Sequence, residues 1–195
     1  MIVSPPIINE GTIYFGSSDT HVYAVAANTG DLKWKYSTGW GIVTTPTLSD
    51  DTVFVGSLDH HIYALNSDDG ELLWSFNTNA AIHSAPIAYG EYVFFGSDDG
   101  WYYAVNKSDG DAVWSFASNN TIDDDIYNYI MTPVVGNTIA KSGSVYISTN
   151  GNIYRFNAQT FEPEIIEEKT EKIPTETILY IAIAVSYTHL TLPTN

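Results

Sequence analysis

Three serine–aspartate pairs return at a constant step of forty residues: Ser17 with Asp19, Ser57 with Asp59, and Ser97 with Asp99. Serine near a carboxylate is material for nucleophilic or acid–base catalysis, and His21, His60 and His61 stand close by in sequence. Repetition argues against that reading. No histidine recurs where it would activate all three serines, and an aspartate that returns with each period is turn chemistry. His21 and His61 occupy equivalent columns one period apart, not one face of one element, which disfavours a zinc site. The run Asp123, Asp124, Asp125 offers oxygen ligands of the kind calcium takes. It lacks the spacing and distal glutamate of a calcium loop and reads as a solvated acidic segment. With no cysteine in the chain, thiolate metal sites, catalytic thiols and disulfides are excluded.

Charge narrows the partners. Seven basic residues against 23 acidic ones give a formal charge of −16, which repels nucleic acid and anionic lipid surfaces. A cationic, metal-bearing or neutral partner fits better.

The elements that hold these residues are set by the same period. Residues 46–85 form one unit, and the same columns appear forty residues before and after it. Fixed periods of this length mark stacked or radial copies of one supersecondary unit. In the middle copy, β-branched and aromatic residues fill four runs at about 42–48, 52–57, 61–66 and 71–77, parted by turn residues. Nothing in the first three copies has helical spacing. The expectation is all-β: a β-propeller of four-stranded antiparallel blades at about 6–40, 41–80, 81–118 and 130–160. Gly30, Gly70 and Gly110 fall where a hairpin needs positive φ. Gly16, Gly56 and Gly96 end a strand where a side chain would meet neighbouring backbone. Pro6, Pro46 and Pro86 are expected inside an edge strand, and Trp34, Trp74 and Trp114 are expected to dock adjacent blades.

The fourth copy is worn. Tyr154 follows Tyr103 by 51 residues rather than forty, and Ile165 stands where the tryptophan column continues. Residues 161–177 read as a linker or degenerate strand, and 178–185 as an apolar strand or a truncated membrane helix. Residues 186–195 fit no period, resemble a translated sequencing adaptor, and are left out of the fold as a non-native tail. The first eight residues show no basic segment followed by an apolar core, so no signal peptide is visible.

Ala-x-x-x-x-x-Gly-x-x-x-Trp, at residues 24–34, 64–74 and 104–114, preceded by Gly-Ser-x-Asp and Tyr-Ala, resembles the PQQ-like (pyrroloquinoline-quinone-type) β-propeller repeat. That family holds quinoprotein dehydrogenases and non-enzymatic propellers such as the lipoprotein of the bacterial outer-membrane assembly machine. The resemblance implies a ring of eight blades, of which this chain holds about four, and a location outside the cytoplasm: extracellular, cell-surface or periplasmic. It implies little about activity, because the repeated residues are structural. The adjacent cysteines typical of the alcohol dehydrogenases are missing here.

Connections between copies and the middle hairpins should emerge on one face, carrying Trp40, His60, His83, Asp123, Asp124, Asp125 and Tyr127. The expected function is a non-catalytic interaction or scaffold module that binds protein or glycan through this loop face. No cofactor or metal is expected, and the membrane enters only through flanking sequence. The alternative is a fragment of a PQQ-dependent quinoprotein dehydrogenase, with the quinone and calcium on the axis.

Overall fold

In the computed structural model, residue 2 and residues 4–117, 138–149, 152–161 and 163–164 are described, and among them the chain forms four antiparallel sheets of four strands. The first holds β1 (Ile7–Asn9), β2 (Thr12–Gly16), β3 (His21–Ala26) and β4 (Leu32–Ser37). The second holds β5 (Thr47–Ser49), β6 (Thr52–Gly56), β7 (His61–Asn66) and β8 (Leu72–Asn77). The third holds β9 (Ile87–Tyr89), β10 (Tyr92–Gly96), β11 (Trp101–Asn106) and β12 (Ala112–Ala117). The fourth holds β13 (Thr138–Lys141), β14 (Ser144–Thr149), β15 (Asn152–Asn157) and β16 (Pro163–Glu164). Each sheet follows chain order in space, the up-and-down arrangement of a propeller blade. Blades 1 to 4 denote these sheets in order.

The first strands of successive blades approach one another, β5 beside β9 and β9 beside β13, so they are innermost. They are also shorter than the sequence indicates. The run at 42–48 yields only β5, because its β-branched residues serve packing instead of pairing. Ile42 is fully buried, and Thr44 Oγ1 donates to the Gly56 carbonyl at 2.8 Å. Pro6, Pro46 and Pro86 sit immediately before β1, β5 and β9 rather than inside them, where a missing N–H breaks no ladder.

The core lies between blades. Alternation along β2 and β3 sends Tyr14, Val22 and Ala24 toward blade 2, where Val53, Val55, Tyr63 and Leu65 meet them in one buried cluster. The next seam repeats it: Phe54, Ile62 and Ala64 meet Val93, Phe95 and Val105. Each blade therefore has a front face for its successor and a rear face for its predecessor.

An indole closes each of these two seams. Trp34 is 6% exposed and its Nε1 donates to the Ser67 carbonyl at 2.8 Å, while Trp74 is 8% exposed and donates to the Lys107 carbonyl at 2.7 Å. Gly70 and Gly110 are needed twice over. Their φ values are +76° and +79°, and a Cβ on either would stand 2.6 Å from the ring of Trp34 or Trp74. Gly30, in the same column, has φ +77° but nothing within 4 Å, so no ring rests on it. At Gly16 and Gly56 the obstacle to a side chain is not backbone, as the sequence reading had it, but the side chains of Ile42 and Ile82.

The third seam uses a different solution. Phe161 takes the glycine column with φ 56°, its N–H donating to the Asn157 carbonyl at 2.9 Å as Gly110 donates to Asn106. The half-buried Trp114 stacks on the Phe161 ring, centroids 5.7 Å apart at 15°, and meets Phe156 edge-on at 4.7 Å. The first described strand of blade 4 is β13, and β16 lies past residue 160.

Candidate functional site

Strand directions place the β2–β3 type hairpins and the inter-blade links at the same end of the molecule, and hydrogen bonds weld them into corners. At the first corner Thr38 N–H donates to the Thr20 carbonyl at 2.8 Å, Gly39 N–H to Asp59 Oδ2 at 2.6 Å, and Leu58 N–H to the Gly41 carbonyl at 3.0 Å. The second corner repeats the set with Thr78 to His60, Asn79 to Asp99 and Asp98 to Ala81.

The recurring aspartate is the hub of each corner. Asp59 Oδ1 accepts the His61 N–H at 3.0 Å, and Oδ2 accepts the Tyr63 hydroxyl at 2.7 Å beside the Gly39 amide. Asp99 treats Trp101, Tyr103 and Asn79 in the same way. Burial by itself would raise the Asp59 carboxyl, but donors from Tyr63, Gly39, His61 and Ser57 outweigh it and hold the group below its usual value. Burial and the Asp59 charge push the Tyr63 phenol up. Ser57 and Ser97 hydroxyls donate to the link carbonyls of Trp40 and Ala80. The repeated Ser–Asp–Tyr set is thus consumed in structure.

What these corners present outward is a separate group. Trp40 is 65% exposed although its carbonyl is held by Thr38 Oγ1 at 2.6 Å. His60 belongs to the same corner, because its neighbour Asp59 grips Gly39. It is exposed and takes the left-handed φ 76°, where blade 3 has Gly100 at 83°. The structure thus brings Trp40 and His60 to one fixed corner. His83 lies one blade on, its Nδ1 2.8 Å from Asp98 Oδ2. Asp98 Oδ1 is buried with no hydrogen-bond partner among the described residues, an acceptor still lacking a donor. Asp98 escaped the sequence reading because its column holds Ser18 and Leu58 in the other copies, so the period gives no signal. The Thr38 and Thr78 column was readable and was passed over. Asp123, Asp124, Asp125 and Tyr127 lie outside the described residues.

The recurring carboxylates of the two corners are engaged by protein donors. Asp59 and Asp99 spend their oxygens on backbone and phenol donors, and no three metal-ligating side chains converge among the described residues.

The family model described as outer membrane protein assembly factor BamB matches residues 2–186. The chain belongs to this BamB-like family. Among solved structures, BamB from Moraxella catarrhalis is similar at 19% identity and TM-score 0.68, covering 84% of this BamB-like chain and 52% of its own. The computationally designed Ika8 protein has 16% identity and TM-score 0.69, with 83% and 47% covered. The designed Ika4 protein has 16% identity and TM-score 0.68, with 80% and 91% covered. The BamB-like chain therefore spans about half the length of the first two. No curated protein matches it in sequence.

Proposed function

We propose that the chain is a non-catalytic scaffold that holds a protein partner against the link end of its blades, with Trp40 and His60 as the first contact. The exposure of Trp40 carries this reading: an indole 65% open to water sits on backbone pinned from two blades. Large rigid aromatic groups on a fixed scaffold contribute strongly to binding at small entropic cost. His60 adds a second argument, since the turn holds a side chain where glycine would relieve the backbone. Family membership supports a periplasmic or outer-membrane setting. A glycan is a less favoured ligand for the same corner.

The test replaces Trp40 with a photo-crosslinking phenylalanine analogue in cells, with the exposed rim residue Leu73 as the control position. Discrete protein adducts from position 40 and none from position 73 support the proposal. Dye reduction by the purified chain with quinone, calcium and an alcohol or sugar would replace it with the dehydrogenase reading.

A further inference from the structure

We infer that the second corner carries an arginine-binding site: Asp98 takes the guanidinium of a bound protein, and His83 holds the place while it is empty. Given a protein partner at the link end, as proposed above, the arginine belongs to that partner. His83 Nδ1 lies 2.8 Å from Asp98 Oδ2, which leaves Asp98 Oδ1 buried without a donor among the described residues. Such an oxygen has given up water and gained no bond in exchange, a condition that folded proteins keep rare. One imidazole N–H answers half of a carboxylate. A guanidinium answers both halves at once, because its parallel N–H groups match the two oxygens. The Asp98 side chain is 23% exposed and that of His83 39%, so the pair lies at the surface. Turning the carboxylate about its last, softly restrained bond carries Oδ1 outward.

The fold does not require this pair. At the first corner the same two columns hold Val43 and Leu58, and blade 1 has Ser18 in the column of Asp98. The backbone nevertheless closes in the same way, with Leu58 N–H on the Gly41 carbonyl at 3.0 Å and Asp98 N–H on the Ala81 carbonyl at 2.9 Å. A titratable pair therefore stands where a neighbouring copy closes its corner with two apolar residues. The other carboxylates at this end are already engaged. Asp59 and Asp99 hold link amides and phenols, and Asp19 holds the His21 amide and the Tyr23 hydroxyl.

Charge at this end favours a cation from outside. The turns at 17–20, 57–60 and 97–100 and the links at 38–46 and 78–86 contain no lysine or arginine. The titratable groups in and beside them are Asp19, Asp59, Asp98 and Asp99 with His21, His60, His61 and His83. The one cation these turns can form for themselves is thus an imidazolium. A protonated His83 competes with arginine for Asp98, and a neutral one yields it. Proton binding at His83 and arginine binding at Asp98 are therefore linked with opposite sign.

The test follows the imidazole Cε1–H resonances of the full chain through a pH titration, alone and with tetra-arginine amide at constant ionic strength. Saturating tetra-arginine should lower the protonation midpoint of His83 by about 0.7 pH unit, a coupling of roughly fivefold, and leave those of His21 and His61 nearly in place. Tetracitrulline amide, neutral and of the same shape, should move none of them. Asp98→Asn and Asp98→Leu should abolish the His83 response, and the leucine variant, which copies Leu58, should keep the thermal midpoint. A His83 midpoint unmoved by tetra-arginine, moved equally by tetralysine amide, or moved equally after either substitution overturns the inference. Crosslinked adducts from position 40 with no response at His83 leave the partner reading standing and remove the arginine site. A response at His83 without those adducts does the reverse.

Discussion

The indole nitrogen of Trp74 reaches the carbonyl of Lys107 at 2.7 Å, repeating forty residues on the bond from Trp34 to Ser67. One side chain thus buries a large apolar surface and answers a backbone acceptor of the next sheet. Trp34→Ala or Trp74→Ala should cost about 3–5 kcal/mol, the range for emptying a buried aromatic site, and leave a carbonyl unpaired. Trp74→Phe should fall between. Urea unfolding followed by circular dichroism measures both.

The glycine column separates conformation from contact. Gly30→Ala should cost about 1–2 kcal/mol, the penalty for a side chain in left-handed backbone. Gly70→Ala and Gly110→Ala add a collision with an indole 2.6 Å away, so each should cost clearly more than the first. Thermal midpoints of the three variants decide it, and equal shifts would contradict the seam geometry.

The corner aspartate gives stability a pH dependence with a defined sign. Asp59 is held below 3.8, so its contribution is complete above that value and lost as pH falls through the lower folded value. Tyr63 is raised above 10.0, so its contribution is complete below that value and lost as pH rises past it. Asp59→Asn should remove about 1–3 kcal/mol at neutral pH and flatten the acid limb. Tyr63→Phe should flatten the alkaline limb. Denaturant titrations at acid, neutral and alkaline pH measure both.

Binding and folding separate at the first corner. Trp40→Ala should change stability by no more than about 0.5 kcal/mol, since the indole is open to water. His60→Gly should leave stability equal or slightly raised, because φ 76° suits glycine. Both should weaken partner capture. Unfolding curves beside crosslinking yields from a neighbouring link position test the split.

Much of this architecture was legible because a forty-residue period cannot hide its columns: the tryptophans, turn glycines and corner aspartates all announced themselves by recurring. What recurrence reports is shared structure. Asp98, opposite His83, occurs once and left no trace, and Phe161 replaces a glycine with an aromatic at the same left-handed backbone. The run at 42–48 misled for another reason. Ile42 and Thr44 have strand-like side chains but spend them filling the space beside Gly16 and bonding Gly56. Composition alone does not distinguish a β-branched residue that pairs from one that plugs.

Asp59 clasps the Gly39 amide of the link that carries Trp40, so that corner is a joint shared by two sheets. A tug on the indole is therefore resisted by the wall between blades 1 and 2. The grip should stay stiff under tension until that wall parts, and then give way abruptly.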